Sequence, residues 1–229
     1  LMTANNHALD GGLDGLVHTL DVLKKNKFLH TGTFRNAQER KALYPLIFYK
    51  NGFKIAILNA THHTNGYPQK PPSIVNKLDM TEMKADFEAA KKQKPDFTIA
   101  FVHWGDEHHT EEQTGQRGVA QELYKMGADL VVGAHPHVVQ PIKMEKMPTP
   151  NGKFRNGLVA YSLGNFVSAQ PFVNTEGGII FELEIEKTAT GVQYKNYAFI
   201  PVYRHQDTHN KYFVVPISVY EGQNKLDMS

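Results

Sequence analysis

Apolar residues along this chain fall into a few recognisable periods. TIAFV (98–102) and DLVVG (129–133) are short, nearly continuous apolar runs, the pattern of strands covered on both faces. A helix-like segment lies between them, so the order is strand, helix, strand, and a parallel βαβ unit is predicted. PLIFYKNGFKIAILNAT (45–61) places two apolar runs around Asn51-Gly52, a hairpin signal. In LVHTLDVLKKNK (16–27), Leu16, Leu20 and Leu23 recur at helical spacing. TEMKADFEAAKKQ (81–93) has helix composition, with Thr81 placed to cap it and Pro95 to end it. VVQPIKMEKMPTPNGKFRNG (138–157) reads as a strand pair around a turn, and LVAYSLGNF (158–166) as another strand. GGIIFELEIEK (177–187) alternates apolar and charged residues as a half-exposed strand does; VQYKNYAFIPVYRH (192–205) continues in that mode, and KYFVVPISVYE (211–221) is a final strand. The opening Leu1-Met2-Thr3 looks like the tail of a strand, so a further strand is expected upstream.

Chemistry enters where the central strands end. TIAFV runs into His103-Trp104-Gly105 and DLVVG into His135-Pro136-His137. A parallel crossover returns the chain to the same side of a sheet, so both ends face one crevice, the rim where open α/β sheets bind ligands. Pro136 biases His135 toward extended backbone, and the i, i+2 spacing then sets both rings on one side. Three imidazoles on one rim suggest part of a metal site. The polar loop Asn5-Asn6-His7 with Asp10 precedes the first helix and falls on the same rim, although Asn6 or Asp10 equally suits a helix cap. Ser162, Gly164 and Asn165 close another strand there. His62 and His63 read as exposed loop residues, followed by an irregular proline-rich stretch (67–76) long enough to cover a site.

Bulk properties narrow the classes. At 229 residues with a mixed composition, the chain suits one globular α/β domain over 1–229. A net charge of +2 without a long basic run gives no footprint for nucleic acid. The absence of cysteine excludes disulfides, thiolate metal sites and cysteine nucleophiles. No run reaches the roughly 18 apolar residues of a membrane span.

Taken in order, NNHALDGG, THHTNG, HWGDE, GADLVVGAHPHVVQPI and YSLGNF resemble the signatures of the CapA family of bacterial poly-gamma-glutamate capsule biosynthesis proteins. That family is a branch of the calcineurin-like metallophosphoesterase superfamily, and the resemblance covers nearly the whole chain. It implies a four-layer α/β sandwich, two mixed β-sheets flanked by helices, here lacking its N-terminal strand or strands. It implies divalent metal ions at the sheet rim, two in the complete protein, with Mn, Fe, Zn and Mg not distinguished. Asn6, His103 and His135 then ligate one ion, and His137 belongs to the other. His7 becomes the leaving-group acid or phosphate contact, with Asp10 orienting its ring, and Glu107 and Asn165 fall on the substrate-binding side. The superfamily's acidic ligands precede the Asn-His motif, so this chain alone is expected to hold at most one weakly bound ion. The implied activity is a metal-dependent hydrolase of the phosphoesterase type, acting on a phosphoester or an anionic polymer, outside the cytoplasm at the cell envelope and beside other capsule-synthesis membrane proteins. The competing function is a non-catalytic assembly component that binds the anionic polymer.

Overall fold

The computed structural model describes residues 1–189 and 191–219. Helix α1 spans Gly12–Lys25 and buries Leu16, Leu20 and Leu23, the stripe its spacing predicts. Its N-cap is Gly11, with no side-chain bond, so neither Asn6 nor Asp10 caps it; both side chains are engaged elsewhere. Strand β1 (Thr33–Phe34) leads to α2 (Ala37–Leu43), whose cap, Asn36, accepts from Glu39 N–H. The hairpin forms as predicted: β2 (Leu46–Lys50) pairs antiparallel with β3 (Phe53–Thr61). Asn51 and Gly52 take φ of 49° and 78° at its turn, conformations these two residues tolerate best.

Within the proline-rich stretch, β4 (Ile74–Val75) pairs antiparallel with β1. Tyr67, Pro68, Lys70 and Ser73 share a hollow with Leu9, Gly12 and Leu13 at the start of α1, so the loop lies against that end of the helix. Helix α3 runs Met80–Lys92. Asp79, not Thr81, caps it, accepting from Thr81 N–H and Glu82 N–H at 2.9 Å. The earlier start follows from packing, because Leu78 and Met80 both rest on the core.

Strand β5 (Phe97–His103), α4 (Thr114–Met126) and β6 (Leu130–Ala134) form the predicted βαβ unit, with β5 and β6 parallel. Strands β7 (Ile142–Pro148) and β8 (Phe154–Ala160) pair antiparallel. Here the structure merges two predicted strands: FRNG and LVA are one continuous β8, laddered to β7 from Phe154 to Ala160. The chain continues through β9 (Gly177–Thr188), β10 (Gly191–Gln206) and β11 (Tyr212–Pro216); Tyr220 and Glu221 of the predicted last strand lie outside the described residues.

Six strands make one mixed sheet in the order β2-β3-β5-β6-β8-β7, with β3, β5, β6 and β8 parallel. Alternation decides what covers each face. Ala56, Leu58, Ala100, Val102, Val131 and Val159 pack on Met83, Phe87, Ala120 and Leu123 of α3 and α4. The residues between them, including Phe97, Ile99, Leu130, Val132 and Leu158, pack on Phe181, Leu183, Ile185 and Val192 of the second sheet. Full burial of such a side chain contributes about 1.5–3 kcal/mol, which is why the central strands are apolar on both sides. Tyr194 ties the layers together: its hydroxyl donates to Asp129 O and accepts from Leu158 N–H. The second sheet is three-stranded and antiparallel, ordered β11-β10-β9, and exposes Glu182, Glu184 and Glu186 on its outer side. The α/β sandwich of two sheets is thus present, with the smaller sheet antiparallel rather than mixed. Among the described residues no helix is long and apolar enough to cross a membrane.

Candidate functional site

The three central parallel strands end level with one another. Thr61 of β3 registers with His103, and His103 with Ala134, so the segments after β3, β5 and β6 leave the sheet side by side. The His103 and His135 rings lie 4.8 Å apart, His63 sits 5.0 Å from His135, and His137 6.0 Å from it, centroid to centroid. The two histidine loops do share one rim.

The backbone of His135-Pro136-His137 is not extended, contrary to the local preference set by Pro136. His135 has φ 105° and His137 φ 61°. Contacts from the neighbouring loop hold the turn: Trp104 N–H donates to Ala134 O at 2.9 Å, and His108 N–H to Pro136 O at 2.7 Å. Positive φ costs a non-glycine residue about 1–3 kcal/mol and concentrates at functional sites. The two rings still become neighbours, through a turn instead of strand periodicity.

Asn6 is buried, and its Oδ1 lies 2.8 Å from His103 Nε2, while its Nδ2 donates to Asn65 Oδ1 at 3.2 Å. The loop carrying it is anchored on β3, where the buried Asn59 side chain accepts from Ala4 N–H at 2.9 Å and donates to Phe101 O at 3.0 Å. His7 is exposed, with Nδ1 2.7 Å from Asp10 Oδ2 and 3.5 Å from Asn65 Nδ2. Asn165 Oδ1 lies 2.9 Å from His137 Nδ1, and Glu107 Oε1 3.8 Å from His137 Nε2. All eight predicted site residues therefore lie on this rim, in three linked groups around Asn6, His7 and His137.

Burial sets the electrostatics. The His103 pKa falls to about 3, first through burial and then through His135, His137, His63 and His7 nearby. His135 falls to about 4, again mainly by burial and by His63, with Glu107 opposing the shift. Both rings are neutral at pH 7, the form that ligates metal ions. Among the described residues His135 Nδ1 is buried without a hydrogen-bond partner, and ligand atoms of Glu107, His135 and His137 all lie within 4.8 Å of one another. A neutral donor set with an orphaned buried nitrogen and an adjacent carboxylate fits a divalent cation.

His62 is exposed as predicted, but His63 is half-buried against His135, and its Nδ1 accepts from Asn65 N–H at 3.3 Å. His63 and Asn65 were both missed from the sequence. Their signal was positional: THHTNG follows β3, a strand that ends on the same rim as β5.

A mixed sheet thus lies between helices and a smaller sheet, with asparagine and imidazoles gathered at its carboxyl rim. The chain accordingly superposes on the structure of Haemophilus influenzae NAD nucleotidase (NadN) with a TM-score of 0.55, covering 98% of this chain and 45% of that one at 16% identity, a likeness of fold. The chain itself belongs to the family described as bacterial capsule synthesis protein PGA_cap, matched over residues 1–170. It is 29% identical over 194 residues to the PGA biosynthesis protein CapA of Bacillus subtilis (strain 168), covering 83% of this chain and 48% of that one. It is 27% identical over 199 residues to the capsule biosynthesis protein CapA of Bacillus anthracis, covering 84% and 45%. The chain thus spans about half the length of these relatives.

Proposed function

We propose that this chain is the hydrolase-type domain of a poly-gamma-glutamate capsule biosynthesis protein, working outside the cytoplasm at the cell envelope with other capsule-synthesis membrane proteins. Its cleft is a divalent-metal centre that cleaves a phosphoester or a related bond in an anionic polymer. The observation that carries this is the gathering of Asn6, His103, His135 and His137 on one rim, with His103 and His135 held neutral and His135 Nδ1 unpartnered. Family membership and the relatives' names support the capsule context.

Asn6 Oδ1, His103 and His135 would hold one ion, and His137 would take part in holding a second. The chemistry such ions supply when bound is activation of a water and neutralisation of phosphoryl charge. The chain's own contribution is placement and proton transfer. Asn65 fixes the Asn6 amide so that Oδ1 faces His103. Asp10 accepts from His7 Nδ1–H, so in the imidazolium form Nε2–H is the proton offered to the departing oxygen. In the balanced reaction, a water oxygen bonds to phosphorus, the ester P–O bond breaks, the leaving oxygen takes the Nε2 proton of the His7 imidazolium, and the proton given up by the water restores that imidazolium through solvent.

The test uses the full-length protein. His135→Ala is expected to lower metal content. His7→Ala should keep the metal and lower turnover by about 10²–10⁴-fold, the usual weight of a general acid, on a panel of phosphodiester and gamma-glutamyl substrates. Equal metal loss in both variants refutes these roles, and metal binding without turnover of any substrate favours the polymer-binding function.

A further inference from the structure

Behind His137, a hydrogen-bond network decides which of its ring nitrogens is free. Asn165 Nδ2 donates to Thr175 O at 3.0 Å and to Gln170 Oε1 at 3.2 Å, so the amide has one orientation and Oδ1 is the atom that faces the ring. That oxygen is 2.9 Å from His137 Nδ1, which must therefore carry the hydrogen. With Nδ1 engaged by Asn165, Nε2 is the ring nitrogen left to bind a ligand.

That nitrogen meets a carboxylate. Glu107 Oε1 is 3.8 Å from His137 Nε2, outside hydrogen-bond range. Nε2 and Oε1 face each other across the cleft with no hydrogen bond between them. Donor atoms at that separation suit a shared cation about 2.0–2.2 Å from each. His135, assigned to the neighbouring ion, has a ligand atom within the same 4.8 Å span, so the two cations would lie side by side; it is only 7% exposed, and its Nδ1 has no partner among the described residues. The loops are pinned for the purpose, since His108, next to Glu107, donates its N–H to Pro136 O, between the two histidines.

Charge gives Glu107 its importance. Asn6, His103, His135 and His137 are all neutral donors, and Asp10 is engaged with His7. A divalent cation among neutral groups in a half-buried cleft keeps its full desolvation cost, and one carboxylate in contact with it offsets much of that.

We infer that Glu107 is a direct metal ligand, sharing with His137 the second divalent cation, and that Asn165 is the positioning residue that turns His137 Nε2 toward it. Glu107 thereby moves from the substrate side of the cleft to the metal side. The inference rests on the metal centre proposed above and adds to it the carboxylate that its neutral donors lack.

Mn²⁺ binding to the full-length protein, followed by the loss of the free-ion EPR signal, tests it without reference to turnover. Glu107→Gln keeps the size of the side chain and removes its charge. Its affinity for Mn²⁺ is expected to fall at least about tenfold, with the melting temperature in EDTA unchanged because the Glu107 side chain is 43% exposed. Asn165→Ala, measured well below its own melting temperature, is expected to lose about tenfold through misorientation of His137. If Glu107→Gln binds within twofold of the parent while His135→Ala binds weakly, Glu107 is no ligand and the metal centre stands without it. If His135→Ala binds like the parent, or the parent takes up no Mn²⁺, the metal centre falls and this inference with it. Unchanged affinity in folded Asn165→Ala removes its positioning role alone.

Discussion

Gly133→Ala should damage both the stability of this protein and its metal centre, through one contact. Gly133 lies in β6, two residues before His135, and an added Cβ would stand 2.0 Å from Tyr161 O and 2.3 Å from Trp104 Nε1. Those two atoms are already bonded, the indole N–H donating to the carbonyl at 2.9 Å, and both residues are almost wholly buried, at 2% and 0% exposure. Neither can step aside cheaply. Overpacking a filled core costs about 1–3 kcal/mol, and an indole N–H pushed off its buried acceptor about 1–3 kcal/mol more. Replacing a strand glycine returns about 0.5–1 kcal/mol, so a net loss of about 1–5.5 kcal/mol is expected from these terms. For a domain stabilised by about 5–15 kcal/mol this is severe. Urea denaturation should show a lower midpoint at an unchanged slope. Because Trp104 follows His103 directly, the fraction that remains folded should also bind Mn²⁺ more weakly. A midpoint shift worth less than about 0.5 kcal/mol, the range of an ordinary surface change, together with parental Mn²⁺ affinity, would refute the view that this bond steadies the loop that carries His103.

Asn59→Ala should cost about 1–3 kcal/mol, because it leaves Ala4 N–H buried without an acceptor. It should also weaken Mn²⁺ binding by loosening the Asn6 loop; denaturation and EPR on one sample check both, and lost stability with intact affinity would show that Asn59 does not position Asn6. The pH dependence of the metal-free protein has a definite sign. His103 and His135 have folded-state pKa values lowered to about 3 and about 4, below the ordinary 6.5, so the unfolded chain takes up protons that the folded one refuses. Their contribution to stability is complete above about pH 6.5 and is lost as pH falls from there toward 4 for His135 and toward 3 for His103. Chemical denaturation across that range should show the decline, and a flatter profile is expected in His135→Asn; identical slopes would mean that His135 titrates alike in both states.

Much of this protein is legible in its sequence because the information is local. The double-sided apolar runs of β5 and β6, the alternation in β9, the Leu16-Leu20-Leu23 stripe and Asn51-Gly52 each state a periodicity or a backbone preference that a few neighbouring residues suffice to enforce. Handedness and strand parallelism then carry His103 and His135 to one rim before any coordinate is known. What the sequence could not disclose depends on partners distant along the chain. The two-residue β1 and β4 exist only because each finds the other some 40 residues away, too short to show a period of their own. His63 reads as a loop residue until β3 is known to lie beside β5, and the Asn6 orientation is set by Asn65, 59 residues on. Pro136 argues locally for an extended His135, yet hydrogen bonds from Trp104 and His108 bend that loop into positive φ. Tertiary contacts decide wherever several of them oppose one weak local preference, and at this rim that is what turns scattered histidines into a single site.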